Sequence, residues 1–170
     1  MKKGLLTLII SATIGIVHAQ NVNIPDAIFK AVLVGNTAIN TNGDTEIQVS
    51  EAAAFGGTIF CASLGISDLT GIEAFTALTV LNCSSNLITS LDVSQNTALN
   101  VLFCWGNQLT SLDVSQNTAL TTLDCSHNQL TSLDVSTNTA LTFLGCEHNS
   151  LPILNVSGAT ALTELYCYNN

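Results

Sequence analysis

The stretch Leu78-Thr-Val-Leu81-Asn-Cys83-Ser-Ser-Asn86-Leu-Ile88 decides the fold, because its pattern of residue types returns every 21 residues without a change of phase. Each copy carries two leucines, a cysteine and an asparagine at fixed places. The leucine columns are Leu78, Leu99, Leu120, Leu141, Leu162 and Leu81, Leu102, Leu123, Leu144, Leu165. The other two columns are Cys83, Cys104, Cys125, Cys146, Cys167 and Asn86, Asn107, Asn128, Asn149, Asn170. With a diverged earlier copy from Ile59 to Phe75, the array holds five full repeats and part of a sixth.

The spacing within a repeat predicts a short extended segment. Alternation points Leu81 and Cys83 inward and leaves Val80, Asn82 and Ser84 outward. Parallel stacking of such segments about 4.8 Å apart makes each inward column continuous. A single repeat buries too little apolar surface to offset the ordering of its backbone, so stability must come from neighbouring repeats. We expect the asparagine column to turn the chain and to pair backbone groups that the bend exposes.

The fragment L-x-x-L-x-C-x-x-N-x-L resembles the leucine-rich-repeat consensus, with cysteine in the third apolar place. The linker T-S-L-D-V-S-x-N-T-A-L, present at Thr89 to Leu99 and at Thr110 to Leu120, is similar to linkers of bacterial exported leucine-rich-repeat surface proteins, a group that resembles the internalins. The resemblance implies an α/β repeat solenoid, a leucine-rich-repeat horseshoe arc with parallel strands on its concave face. It also implies a role in binding partners at the cell surface.

The chain divides into three predicted segments: residues 1–19, 20–57 and 58–170. Lys2 and Lys3, an apolar run of fourteen residues from Gly4 to Val17 and the small Ala19 are typical of a secretory signal peptide cleaved after residue 19. Fourteen helical residues reach about 21 Å, which is short of the roughly 30 Å of a membrane core. Residues 20–57 are predicted to form a helical cap, and residues 58–170 the repeats. Because Asn170 lies inside a repeat, we expect a truncated product.

Composition excludes several classes of function. Twelve acidic residues face three basic ones, Lys2, Lys3 and Lys30, and only 9% of residues are charged. Nucleic-acid binding and attachment to anionic membranes both require clustered basic residues. We therefore expect no nucleic-acid partner. No later stretch of comparable length lacks polar residues, so we also expect no membrane insertion after signal cleavage. The sequence contains no catalytic triad order, H-E-x-x-H motif, Walker loop or glycine-rich dinucleotide turn, and we predict that the protein is not an enzyme.

Six cysteines in an exported chain would ordinarily indicate disulfides. In-register neighbours in one inward column, however, have parallel Cβ vectors about 4.8 Å apart, whereas a disulfide needs converging vectors about 3.5–4.5 Å apart. We predict free, buried thiols that act as small hydrophobic side chains. Cys61 and Cys167, at the two ends of the column, are the expected exceptions, and zinc is disfavoured because no histidine converges on it.

The outward strand columns hold every aromatic residue from Leu78 onward, together with carboxylates and imidazoles. Exposed rings concentrated in one place are typical of the centre of an interface, although scattered exposed rings are normal on any surface. His127 and His148, about 5 Å apart in one column beside Glu147, permit a metal or a pH-sensitive contact, but unligated surface histidines are favoured. The predicted ligand-binding residues of the concave face are Phe60, Phe103, Trp105, Asp124, His127, Phe143, Glu147, His148, Tyr166 and Tyr168.

The segment before the repeats is predicted to contain two helices, one opening at Pro25 and Asp26 and ending before Gly35, and one from Ser50 to Phe55. The loop between them resembles an EF-hand, which implies a weak calcium site at Asn40, Asn42, Asp44, Glu46 and Glu51. Asn40 replaces the usual first aspartate and Thr45 the usual glycine, and the resembling internalin cap has lost its metal. A purely structural loop is therefore the favoured alternative, and no cofactor is predicted.

A further column of carboxylates runs opposite the strands, formed by Asp92, Asp113 and Asp134 and continued by Asn155. Calcium could bridge them, but solvated carboxylates are favoured, because exposed like charges about 5 Å apart repel by less than about 1 kcal/mol.

The first-choice function is a secreted or cell-surface binding module that recognises a protein, or a glycan, through its concave sheet. The alternatives are a structural spacer and an appendage of a larger secreted enzyme or adhesin.

Overall fold

The computed structural model describes residues 20–170, and the predicted signal peptide lies outside the described residues. Two helices come first, α1 at Ala27–Val34 and α2 at Val49–Ala54, and a 3-10 turn lies at Ile72–Ala74. Six strands of three residues follow one another: β1 Thr58–Phe60, β2 Val80–Asn82, β3 Val101–Phe103, β4 Thr122–Asp124, β5 Phe143–Gly145 and β6 Glu164–Tyr166. None of the helices in this part of the chain is long and apolar enough to span a bilayer.

The six strands form one parallel sheet in sequence order, β1 to β6. Each strand pairs with the next in the register that the repeat predicts, so that Leu81 is the partner of Leu102, which in turn is the partner of Leu123. The same register extends from Ile59 at one end to Leu165 at the other. The predicted leucine-rich-repeat solenoid is thus confirmed, because a slip of one residue anywhere would turn the leucines to the wrong side.

The core consists of the inward columns. Leu78, Leu81 and Ile88 are fully buried, and their counterparts in the next two repeats are equally buried. Neighbouring leucines and cysteines of successive repeats therefore pack directly on one another, and this burial stabilises the array at about 1.5–3 kcal/mol for each large side chain. The column is less well covered at its end, where Leu165 is exposed and Leu162 is half-buried.

The cysteine column faces inward and carries free thiols, as predicted. Cys61 and Cys167, the expected exceptions, are free thiols as well; Cys61 is buried and Cys167 is exposed. The Cys83 and Cys125 thiols lie 3.5 and 3.4 Å from the carbonyl oxygens of Phe103 and Gly145, to which they donate. Burial raises the pKa of the Cys61 thiol to about 12, and burial together with its neighbours Cys167, Glu147 and Asp124 raises the pKa of Cys146 to about 12. These thiols are therefore protonated and unreactive in the folded protein.

The predicted turn-forming asparagines bridge successive repeats. The Asn86 amide donates to the carbonyl oxygens of Cys61 and Cys83 at 2.8 and 3.0 Å. Its Oδ1 accepts from the backbone N–H groups of Leu64 and Ile66 at 3.1 and 3.0 Å. Each turn also contains a residue with positive φ, and the last three repeats use His127, His148 and Asn169 there, at 51°, 53° and 55°.

A second asparagine column was not predicted from the sequence. Asn96, Asn117 and Asn138 are fully buried on the side away from the strands. The Asn117 amide donates at 2.9 Å to the carbonyl oxygens of Val93 and of Asn96, and so joins two repeats. The side-chain oxygens of the three asparagines accept no hydrogen bond from any described residue. These amides join the turns of neighbouring repeats, as the amides of the Asn86 column do at the turn that follows each strand.

The helical cap covers the first repeat. Asp26 caps α1, with its Oδ1 accepting from the N–H groups of Ile28 and Phe29 at 2.9 and 3.0 Å. Its Oδ2 accepts from the Ser67 backbone N–H at 3.0 Å, which ties the helix to the first repeat. Phe29 and Leu33 of α1 are fully buried. Both predicted helices are confirmed to within a residue of their bounds, since they lie at Ala27–Val34 and Val49–Ala54.

Candidate functional site

The outward positions of the strands, and those of the three residues that follow each strand, form one surface, which we call the strand face. Burial alternates along β2, where Leu81 is buried and both flanking residues are partly exposed, and β3 and β4 repeat this alternation. Because every strand has the same register, outward residues of successive strands lie side by side. The strand face therefore presents columns of side chains whose identity changes from repeat to repeat.

The predicted aromatic residues all lie on the strand face and outside the core. Phe60, Tyr168 and Tyr166 are 65%, 55% and 45% exposed, and Trp105 is 38% exposed. Phe103 and Phe143 are half-buried. The Phe143 and Tyr166 rings contact each other with centroids 5.7 Å apart. The geometry brings Phe143 and Tyr166 together on β5 and β6, whereas the Tyr168 ring meets His148 just after β6 and Phe60 lies apart at the β1 end.

The two histidines stack at the end of the strands. The His127 and His148 rings are 4.3 Å apart at an interplanar angle of 17°, and the Tyr168 ring meets His148 edge-on at 5.4 Å. Asn169, which was not predicted, places its amide nitrogen 3.2 Å from His148 Nε2. Rings stacked face to face carry their nitrogen lone pairs in parallel planes, so the pair does not converge on one ion. No group of three or more metal-ligating side chains occurs among residues 20–170.

Ser84 and Ser126, which share one predicted outward column, are both buried. Ser84 is only 2% exposed, since its hydroxyl donates to Oδ1 of outward-facing Asn82 at 2.7 Å and is covered in doing so. Ser126 repeats this contact with Asp124, whose Oδ1 accepts from the Ser126 hydroxyl at 2.7 Å and from its N–H at 3.1 Å. Alternation gives the direction of such a side chain, but its neighbours determine its exposure.

The predicted carboxylates Asp124 and Glu147 converge over Gly145. A Cβ atom at Gly145 would lie 3.0 Å from Asp124 Oδ1 and 3.5 Å from Glu147 Oε2, so the missing side chain makes room for both. Glu147 Oε2 is buried and accepts no hydrogen bond from any residue in the described part of the chain. The sequence gives no signal of this pair, because Gly145 reads only as a weak position in a strand.

No lysine or arginine lies opposite the carboxylates of the strand face. The last lysine is Lys30, and no lysine or arginine occurs between residues 31 and 170. The Lys30 ammonium forms an ion pair with Glu46 Oε1 at 2.6 Å, in the cap. Asp124, Glu147 and Glu164 are therefore not neutralised by any lysine or arginine of the repeats, and the field over the strand face is negative.

The EF-hand-like loop uses its oxygens internally. Asn40 is buried, and its amide donates to the carbonyl oxygens of Val34 and Asp44 at 3.1 and 2.8 Å. Glu51 Oε1 accepts from the Thr41 N–H and hydroxyl, both at 2.8 Å.

The remaining predicted calcium ligands of the loop also form hydrogen bonds or an ion pair within the chain. Asp44 Oδ2 accepts from the side-chain amides of Asn42 and Gln48 at 2.9 and 3.0 Å, and Lys30 holds Glu46. A calcium ion needs six to eight converging oxygens. N–H groups, a hydroxyl and an ammonium group occupy these positions, so the residues present do not fit the ion.

The carboxylate column opposite the strands has a local structural role. Asp92, Asp113 and Asp134 each accept a hydrogen bond from the N–H two residues later, at 2.9, 2.9 and 2.8 Å. These hydrogen bonds from the backbone N–H groups of Ser94, Ser115 and Ser136 lower the pKa of the three aspartates. The column therefore closes one turn per repeat, as Asx-type turns do.

The comparisons with known proteins agree with this geometry. The family model described as "Leucine Rich repeats (2 copies)" matches residues 97–138. A structure described as the functional domain of InlJ from Listeria monocytogenes, which includes a cysteine ladder, is 41% identical with a TM-score of 0.79. It matches 90% of this chain, which spans 35% of that one. None of the curated proteins is similar enough to count as a match.

Two further structures show the same fold. An internalin, InlF, from Listeria monocytogenes is 22% identical, with a TM-score of 0.69 over 83% of this chain and 42% of its own length. A leucine-rich-repeat protein from Leptospira interrogans is 26% identical, with a TM-score of 0.56 over 60% of this chain and 28% of its own. The 21-residue register, the buried thiols and these comparisons show a leucine-rich-repeat solenoid that is similar to the Listeria internalin structures.

Proposed function

We propose that the protein is a recognition module that binds a protein partner through the strand face. The observation that carries the proposal is the concentration of exposed aromatic side chains there, with Phe60, Trp105, Tyr166 and Tyr168 all between 38% and 65% exposed. Large rings left in water are costly unless a partner covers them, and aromatic residues dominate the centres of protein interfaces. A rigid parallel sheet holds these rings in fixed positions, which lowers the entropy lost on binding.

We also propose that the protein acts outside the cell, either secreted or at the cell surface. The signal-like composition of residues 1–19 and the similarity to Listeria internalins support this proposal. The aromatic rings could equally stack on the apolar faces of sugar rings, so a glycan is the competing partner. We propose no catalytic role, because the sequence carries no catalytic triad order, H-E-x-x-H motif, Walker loop or glycine-rich dinucleotide turn.

The test is a binding screen of the full chain on an array of extracellular protein domains, with a glycan array run beside it. Trp105→Ala and Tyr166→Ala remove rings from the strand face. Ile153→Ala removes an 80% exposed apolar side chain elsewhere and is the matched control.

The proposal predicts protein targets that lose about tenfold or more in affinity with either ring variant and none with the control. Circular dichroism must show that all three variants fold. Binding that all three variants retain, binding to glycans alone, or no binding to any protein would refute the proposal.

A further inference from the structure

The pair of carboxylates over Gly145 is a feature of the strand face that the recognition module described above does not explain. Gly145 is the one glycine in its column, where the other strands carry Phe60, Asn82, Phe103, Asp124 and Tyr166. In the register of the sheet, Gly145 has Asp124 on one side and Tyr166 on the other. An acidic group and an exposed phenol ring thus border the same position.

The two carboxylates are incompletely satisfied within the chain. Asp124 Oδ1 accepts two hydrogen bonds from Ser126, but Glu147 Oε2 is buried with no donor among the described residues. Both oxygens lie within 3.5 Å of the same point above Gly145. Two negative groups that border the same position repel each other, and an unpaired buried carboxylate oxygen is unfavourable. A cation supplied from outside would relieve both.

No lysine or arginine of the repeats supplies this cation, because residues 31–170 contain neither. A metal ion fits poorly, since no cluster of three or more ligating side chains exists in residues 20–170. A guanidinium group fits better. It is planar, donates two parallel hydrogen bonds to carboxylates and stacks on aromatic rings such as Tyr166, which is 45% exposed.

We propose that the strand face binds a basic segment of a protein partner, with one arginine side chain held by Asp124 and Glu147 over Gly145 and stacked against Tyr166. This inference rests on the proposed function and names the chemistry of its partner. The negative field of the repeats steers such a segment to the strand face. The other exposed rings of the strand face, such as Trp105 just after β3, cover the apolar side chains of this basic segment.

The experiment uses two synthetic nonapeptides that differ only at the central residue, which is arginine in one and citrulline in the other. Citrulline has the shape of arginine without its charge. The peptides are titrated into the full chain and followed by the backbone amide resonances. The arginine peptide is expected to shift the amides of Gly145, Asp124 and Tyr166, and to bind about fivefold or more tightly than the citrulline peptide. Its affinity should fall as salt is raised.

Two variants separate this site from general electrostatic attraction. Glu147→Gln removes one charge from the pair and is expected to weaken the arginine peptide by about fivefold or more. Asp113→Asn removes the same charge from the opposite side of the solenoid, keeps the oxygen that accepts from Ser115, and should leave binding unchanged. Equal binding of both peptides, equal effects of both variants, or shifts confined to other strands would overturn the proposal.

Failure here is distinguishable from failure of the recognition module. A protein target that depends on Trp105 and Tyr166 but is indifferent to salt and to Glu147→Gln would leave the module standing and refute the arginine site. If the arginine peptide binds at Gly145 but no protein target loses affinity when Trp105 or Tyr166 is replaced, the recognition module is refuted instead.

Discussion

Replacement of Asn107 by alanine tests how strongly the Asn86 column, to which Asn107 belongs, stabilises the solenoid. Asn107 is 7% exposed, and its amide donates to the carbonyl oxygens of Cys83 and Cys104 at 3.1 and 3.0 Å. Its Oδ1 accepts from the Ile88 N–H at 3.1 Å. The side chain thereby links two repeats through three backbone groups.

The expected loss in the free energy of unfolding depends on which hydrogen bonds each backbone group keeps in the variant. The Cys83 and Cys104 oxygens keep a second donor, from Asn86 and Asn128, so each loses one of two hydrogen bonds. The Ile88 N–H has no other acceptor among the described residues and is left unpaired in the core. An unpaired buried donor costs about 1–3 kcal/mol, and each lost bond about 0.5–1.5 kcal/mol. Asn107→Ala should therefore lower the free energy of unfolding by about 3 kcal/mol.

Urea unfolding, monitored by circular dichroism, measures this loss, provided that the slope of the transition is the same for both proteins. Gln108→Ala is the matched control, since Gln108 is the exposed neighbour and its effect should stay within about 0.5 kcal/mol. A loss below about 1 kcal/mol for Asn107→Ala at equal slopes would refute the reasoning, because it would mean that the turn does not depend on the amide.

Two other variants test the cap. Asp26→Ala should cost about 1–2 kcal/mol at pH 7. Burial raises the pKa of Asp26, but the hydrogen bonds from Ser67 and α1 outweigh it and leave the folded-state pKa below 3.8, so the difference in melting temperature should vanish as the pH falls through that lower pKa. A difference that is as large at pH 2 as at pH 7 would contradict this.

Gly71→Ala should destabilise the protein by more than about 2 kcal/mol in urea unfolding, since φ is 103° and the new Cβ would lie 2.8 Å from the Asn23 oxygen. Gly65→Ala, at φ 77° with no atom within 4 Å, should cost only about 1 kcal/mol, and equal losses would be inconsistent with close packing of the cap.

The repeat alone is sufficient to predict the sheet and most of the core. A 21-residue period without slippage leaves one way to stack the strands, and the positions of Leu102 and Cys104 follow from it. The burial of Asn117 could not be predicted in this way. An asparagine in a linker rich in serine and threonine indicates an exposed turn, and only the carbonyl groups of the adjacent repeat explain why it lies inside.

The site was predictable in position but not in chemistry. Alternation placed Trp105 and Tyr166 on the strand face, where they are found. The carboxylate pair depends on the absence of a side chain at Gly145 and on the conformations of its neighbours, which no local pattern encodes. Likewise, the oxygen-bearing residues of the EF-hand-like loop have the same order whether they bind a metal or, as with Glu51, backbone N–H groups.

The central claim is that position within the 21-residue repeat decides whether a side chain faces the core or the solvent, and a count of reactive thiols tests it most directly. The six cysteines are titrated with a chromogenic disulfide reagent, without reductant, in the native chain and again in guanidinium. The structure predicts one thiol that reacts at once, Cys167, and five that react only on unfolding, with Cys167→Ser abolishing the first reaction. Two or more fast thiols in the native chain, or fewer than six after unfolding, would contradict the inward column of free thiols.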